Sequence, residues 1–341
     1  MRKLWKSILL FICILGICQP VQAANLKDND KSDTISVTIS AAGDCTLGID
    51  PTIHHTFDHY YKQHGNSYFL KKVKKVFEKD DITIVNFEGT LTNSSNRSPK
   101  TYAFKGPAEY AKILKKGSVE VVNLANNHSM DYGKSAFTDT TKTLKKNKIP
   151  YCHYGTIAYK EVNGVKVAFL GFSQINGVTN AQVKETIKKA KKKRAKIIIV
   201  SFHWGIEKSY NPNSTQKNLG HTAIDSGASL VLGHHPHVLQ GIEKYKGRYI
   251  VYSLGNFCFG GNVNPQDKDT MIFQQTFYVK KGKLLKKNDV KIIPCSLSGS
   301  STHNDYQPRI LSGSERKRVL RKINGMSKGM HVKFGSNGKA K

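Results

Sequence analysis

The sequence predicts an α/β protein with a sheet covered on both faces, and three observations carry that prediction. Short β-branched runs recur along the chain, and nearly every one ends abruptly in polar residues. Stretches with helical apolar spacing lie between them, the strand–turn–helix–strand order of an α/β layout. The polar residues that close the strands are Asp, Glu, Asn and His, placed where such folds bind ligands, at the carboxyl ends of strands.

Taken in order, Ile35–Ile39 runs into Gly43-Asp44, and Ile82–Val85 into Asn86-Phe87-Glu88. Val119–Val122 precedes Asn126-Asn127-His128, and Lys196–Val200 precedes His203-Trp204. Ser229–Leu232 leads into His234, His235 and His237, and Tyr249–Tyr252 into Gly255-Asn256. Val165–Gly171 reads as a further buried strand. Helical spacing marks Tyr68–Lys79, Pro107–Lys116, Phe137–Asn147, Gln182–Arg194 and Thr215–Ser226. Beyond residue 258 come strands at Met271–Val279 and Val290–Pro294, then a basic helix at Ser314–Asn324.

The ends of the chain divide it further. Residues 1–23 read as a secretory signal: Arg2, Lys3 and Lys6, then the apolar run Ile8–Cys18, then Val21-Gln22-Ala23 as a small-residue cleavage site. An eleven-residue apolar run is short for a hydrocarbon core of ~30 Å, so cleavage is preferred over a retained anchor. Ile17 occupies the place where lipid attachment at Cys18 would require a small residue. Residues 24–34 read as a linker, 35–310 as one large domain, and 311–341 as the basic helix followed by a disordered Gly- and Lys-rich tail. The expected location is outside the cell or on its surface.

The net charge of +30 is spread over many segments and lacks a nucleic-acid motif, so nucleic acid is not the expected partner. Outside a membrane the fitting partner is an anionic envelope polymer or surface. Past the signal, four cysteines (Cys45, Cys152, Cys258 and Cys295) are widely spaced, which excludes a zinc ribbon or a dense disulfide scaffold.

The strand-end residues form a mixed nitrogen and oxygen donor set: Asp44, Glu88, Asn127, His203, His235 and His237. Such a set suits Mn, Zn, Fe or Mg, as one ion or two. Donors from separate strands suggest an open, catalytic site. In an extended backbone His235 and His237 would point the same way, with Pro236 between them. Glu88 is the candidate bridge between two ions, which would polarise a substrate oxygen and activate water. His128 is placed to protonate a leaving group. Asp131 is expected to orient that imidazole or cap a helix, and Asn126 to pin a turn. Glu207 and Asn256 are weaker candidates for substrate contact. Trp204 reads as core, and His54, His55, Asp58, His59 and His64 as a polar surface segment.

The segments GDCTLG (43–48), NFEGTLT (86–92), NLANNHSMDYG (123–133), SFHWGIE (201–207), GHHPHVLQGIE (233–243) and YSLGNF (252–257) together resemble the bacterial capsule-synthesis family CapA. That family is associated with poly-γ-glutamate capsules and is similar to calcineurin-like metallophosphatases. The resemblance implies a four-layer αββα sandwich with a two-metal site. On it, Asp44 matches the first ligand, Asn127-His128 the Asn-His pair, His203 the isolated His and His235-x-His237 the terminal pair. Two positions depart from the superfamily pattern: Cys45-Thr46 follows Asp44 where Asp-x-His is usual, and Glu88 stands at the bridging Asp. The implied function is a metal-dependent hydrolase or transferase acting on a phosphorylated or polyanionic envelope substrate. The alternative is a non-catalytic, polyanion-binding accessory of a membrane capsule synthase.

Overall fold

The structure is a computed structural model and describes residues 34–341. The expected signal and nearly all of the expected linker lie outside the described residues. In chain order the first half comprises β1 (Thr34–Thr46), α1 (Thr56–His64), α2 (Lys74–Phe77), β2 (Ile82–Phe87), β3 (Thr90–Leu91), β4 (Lys105–Gly106), α3 (Ala111–Lys116), β5 (Val121–Asn123), α4 (Gly133–Lys146) and β6 (Tyr151–Cys152). The second half comprises β7 (Ala158–Val162), β8 (Val165–Ser173), α5 (Asn180–Lys192), β9 (Ile197–His203), α6 (Ser214–Ser226), β10 (Leu230–His234), β11 (Ile242–Tyr245), β12 (Arg248–Val251), β13 (Asn256–Phe259), β14 (Asp269–Lys280), β15 (Lys283–Ser296), β16 (Arg309–Ile310) and α7 (Gly313–Met326).

Two sheets form the centre. One has the order β16-β15-β14-β1-β2-β5-β6, with β13 also pairing β1; the other has the order β11-β12-β10-β9-β8-β7. Val37, Ile39, Ile82 and Ile84 of the first sheet share one apolar core with Val167, Phe169, Ile199 and Leu232 of the second, so the sheets pack face to face. The outer face of the first sheet (Val85, Phe87, Val122) is covered by Phe57, Phe77, Ile113, Leu114 and Leu144 from the helices α1 to α4. The outer face of the second (Leu170, Ile198, Val200, Val231) is covered by Val183, Ile187, Leu219 and Ala223 of α5 and α6. The molecule is therefore the expected four-layer αββα sandwich.

Sequence periodicity placed most elements within a few residues. Two runs depart further: the strand expected at Val290–Pro294 begins already at Lys283, and of Tyr68–Lys79 only Lys74–Phe77 is α-helical. The rest turns irregularly so that the consecutive Phe69 and Leu70 both reach the core. The expected disordered tail is corrected as well. Phe334 is buried in the core between the sheets, and the Ala340 N–H donates to Val290 O at 2.9 Å. A composition rich in Gly and Lys does not reveal that β15 offers free backbone groups to pair with.

Candidate metal centre

The strand ends of both sheets meet at one rim. Asp44 sits at a register shift of β1, between β2 on one side and Asn256 of β13 on the other. Gly43 permits this crowding, because a Cβ there would lie 1.8 Å from Gly255 O. β9 and β10 pair in parallel with His203 opposite His234, which delivers the histidine run to the same rim. The convergence of His235 and His237 does not come from an extended strand, however. Both residues adopt left-handed backbone, with φ of 95° and 58°, just past the end of β10. Non-glycine residues hold that conformation when surrounding structure enforces it, and such strain concentrates at functional sites.

Two groups of donors lie with their ligand atoms within 4.8 Å of one another: Glu88, His235 and His237, and Asp44, Glu88 and His203. Glu88 belongs to both, the position the sequence suggested for a bridge. It is fully buried, and neither carboxylate oxygen has a hydrogen-bond partner. Its Oε1 lies 3.7 to 3.9 Å from the Nε2 atoms of His203, His128 and His237. His203 Nε2, His235 Nδ1 and Asn127 Oδ1 are likewise buried without hydrogen-bond partners. Burying a carboxylate and several imidazoles unpaired is costly, and a divalent cation among them would satisfy them together. The donor set fits such an ion.

The electrostatics follow from this geometry. Burial pushes the Glu88 carboxyl well above the usual range, opposed by His237 and reinforced by Asp44, Asp131 and Glu207. Burial also penalises ionised Asp44, but hydrogen bonds from His234 and His237 outweigh it and hold that carboxyl well below the usual range. Desolvation lowers His203 strongly and takes His235 down to about 4, so both stay neutral, as ligands must. His237 is raised to about 9, because Glu88 and Asp44 overcome its burial.

Surrounding residues fix the imidazoles. His237 Nδ1 lies 3.2 Å from Asp44 Oδ2 and 2.9 Å from Asn256 Oδ1, two acceptors that place the proton on Nδ1 and turn Nε2 toward Glu88. His128 Nδ1 lies 2.7 Å from Asp131 Oδ2, and Asp131 accepts further hydrogen bonds from Lys100 Nζ at 2.8 Å and Phe104 N at 2.6 Å. Asn126 ties the turn, donating to Phe87 O at 2.8 Å and accepting from the His128 N–H at 3.0 Å. Glu207 is exposed on a turn after β9 and lines the adjoining cavity of about 800 Å³ without a hydrogen bond into the cluster. His234 stands apart from Glu88, with Nδ1 3.3 Å from Asp44 Oδ1.

Sequence reasoning missed Asn86, Asn123 and Lys100. Asn86 donates to Asp44 Oδ1 at 2.9 Å, lies 3.3 Å from His203 Nδ1 and accepts from Asn123 Nδ2 at 2.9 Å. Two fully buried amides at adjacent strand ends were the available signal. Trp204 is core, with Nε1 donating to Tyr252 O at 2.8 Å. His55 and His59 lie apart from the rim cluster, His55 capping α1 and His59 within it.

This combination defines an α/β sandwich protein with a candidate divalent-metal centre at one rim. Residues 38–261 match the family described as "Bacterial capsule synthesis protein PGA_cap", and the chain belongs to that family. It is 32% identical over 275 residues to the PGA biosynthesis protein CapA of Bacillus subtilis (strain 168), covering 74% of this chain and 70% of that one. It is also 32% identical over 261 residues to the capsule biosynthesis protein CapA of Bacillus anthracis, covering 68% and 61%. A probable polyglutamine synthesis accessory protein of Mycobacterium tuberculosis (strain CDC 1551 / Oshkosh) is 26% identical over 210 residues, covering 52% and 55%. The chain is thus a CapA-like protein related to capsule biosynthesis. Among the described residues no helix is long and apolar enough to cross a membrane.

Proposed function

We propose that this is an exported, divalent-metal-dependent hydrolase or transferase of capsule or poly-γ-glutamate handling, acting on a phosphorylated or polyanionic envelope substrate. One observation carries the reading: Glu88 is buried without a hydrogen bond to either oxygen, and His203 Nε2, His235 Nδ1 and Asn127 Oδ1 around it are buried and unpaired as well. Asp44, Glu88, Asn127, His203, His235 and His237 would hold Mn, Zn, Fe or Mg. When bound, such an ion supplies Lewis-acid polarisation of a substrate oxygen.

The chain's own residues supply the remainder. His128, oriented through Nδ1 by Asp131, turns Nε2 toward the cluster. Burial lowers its pKa, so Nε2 first takes up a proton from water and, as the imidazolium that Asp131 favours, gives it to the leaving group. Asp44 and Asn256 lock the tautomer of His237. Phe104, with its ring 4.6 Å from that of His128, and Phe259, 5.1 Å from His237, give the adjoining cavity an apolar wall beside these two imidazoles.

Elemental analysis of protein purified without chelator tests this reading. Bound Mn, Zn or Fe is expected in the wild type and none in His235→Ala/His237→Ala. Hydrolysis of alkyl phosphate esters, whose leaving oxygen needs a proton, should fall roughly 10²- to 10⁴-fold in His128→Ala, and that of p-nitrophenyl phosphate much less. A wild type that takes up no metal after Mn or Zn soaking would overturn the reading.

The accessory alternative has its own support. Cys45-Thr46 leaves one imidazole ligand fewer beside Asp44, the chain carries a net +30, and the mycobacterial relative is named an accessory protein. It predicts polymer retention indifferent to chelator and to His235→Ala.

A further inference from the structure

The two poles of the sandwich differ in charge. β1 runs from Thr34, opposite Lys280 of β14, to the rim at Asp44. Ten residues of strand at ~3.3 Å each put the two ends about 33 Å apart. At the far pole, the β14–β15 hairpin brings exposed Lys281, Lys283, Lys286 and Lys287 to its tip. The turn between α5 and β9 lies beside it: a Cβ on Gly282 would stand 3.8 Å from Lys196 Nζ. Lys166 joins the patch through a 3.3 Å hydrogen bond from its Nζ to Lys193 O. The patch is contiguous across both sheets.

Acidic residues offset little of it. Glu161 faces Lys166 across β7 and β8, and Asp289 accepts from Tyr278 OH at 2.5 Å. Asp81 is engaged by the Thr38 N–H at 2.8 Å. Lysines at the end of α5 compensate the helix dipole. The hairpin lysines sit on the turn (Lys281) and on β15 (Lys283, Lys286 and Lys287), which have no comparable dipole, so the helix dipole does not account for them. The first described residue, Thr34, enters β1 at this same pole, and the apolar run Ile8–Cys18 precedes it in the chain.

We propose that the pole opposite the candidate metal centre rests on an anionic lipid bilayer, holding the rim cavity away from the membrane. The basic patch supplies attraction to the headgroups, and the long lysine stems lie along the surface. The chain's entry at this pole favours a membrane over a soluble polymer, because whatever lies upstream during export leads to the same face. This inference is independent of metal chemistry and survives if the centre proves inactive.

Vesicle flotation of the full chain is the test, comparing phosphatidylcholine vesicles with vesicles that also contain phosphatidylglycerol. The difference between them isolates the charge-dependent part from any contribution of the apolar N-terminal run. Lys281→Gln/Lys283→Gln is expected to lower that difference by about tenfold or more. Lys72→Gln/Lys134→Gln, toward the rim, should leave it nearly unchanged. Hydrogen exchange on the vesicles should slow at 191–196 and 280–287 and not at 262–267. Three results would each overturn the proposal: no preference for phosphatidylglycerol, equal losses in the two double variants, or soluble poly-glutamate protecting these segments while vesicles do not.

Discussion

Glu88 and Asp269 are both buried carboxylates at the rim, and they have opposite fates. Asp269 receives Arg318 through two hydrogen bonds of 2.6 and 2.7 Å and Lys322 through one of 2.9 Å. Those partners outweigh its desolvation and hold its carboxyl below the usual range. Glu88 receives none, and burial drives its carboxyl up. Burial alone therefore does not mark a site. The mark is burial with nothing inside the chain to answer it, while a buried group with full partners cements α7 to β14.

The strongest way to break this contrast is to add the missing partner. Saturating Mn or Zn should raise the melting temperature of the wild type, with a stabilisation of about 4 kcal/mol at a thousandfold excess over Kd. Glu88→Gln should lose most of that rise in the same thermal scan. A wild-type melting temperature indifferent to metal would remove the distinction between the two carboxylates.

Next in size is the loss of a satisfied partner. Asp269→Asn removes the charge that Arg318 and Lys322 share, although Lys322 keeps Asp267 at 2.7 Å, and should cost about 2 kcal/mol in denaturant unfolding. The matching change at Glu88 replaces a carboxyl whose charged form burial already disfavours and which no hydrogen bond holds. Metal-free Glu88→Gln should therefore be as stable as the wild type or more stable, by about 1 kcal/mol. Equal destabilisation by both substitutions would contradict the comparison.

The smallest effect is in acid. The folded pKa of Asp269 lies below the unfolded value of about 3.9. Its contribution is complete above the unfolded value and is lost as pH falls through the folded one. Asp269→Asn should flatten that acid limb when stability is followed from neutral pH downward.

Much of the fold could be read in the chain because strand and helix leave periodic traces. Even the rim could be located, since Asp44, Glu88, His203 and His235 each follow an apolar run. Asn86 and Asn123 went unread as site residues because a strand-end amide is equally at home holding a turn, and their partners lie up to 117 residues away. The ordered tail escaped for a related reason: Phe334 is one apolar residue in a Gly- and Lys-rich stretch, and its place is set by β15 and the core.

By itself the sequence determined the alternation of strand and helix, the donor types at the strand ends and the strong positive charge, because those are properties of neighbouring residues. Only the tertiary structure decided which carboxylates are answered and which are not. It also bent His235 and His237 into left-handed backbone and gathered the lysines of α5 and the β14–β15 hairpin at one pole. Those outcomes depend on distances between groups far apart in the chain, which local pattern does not encode.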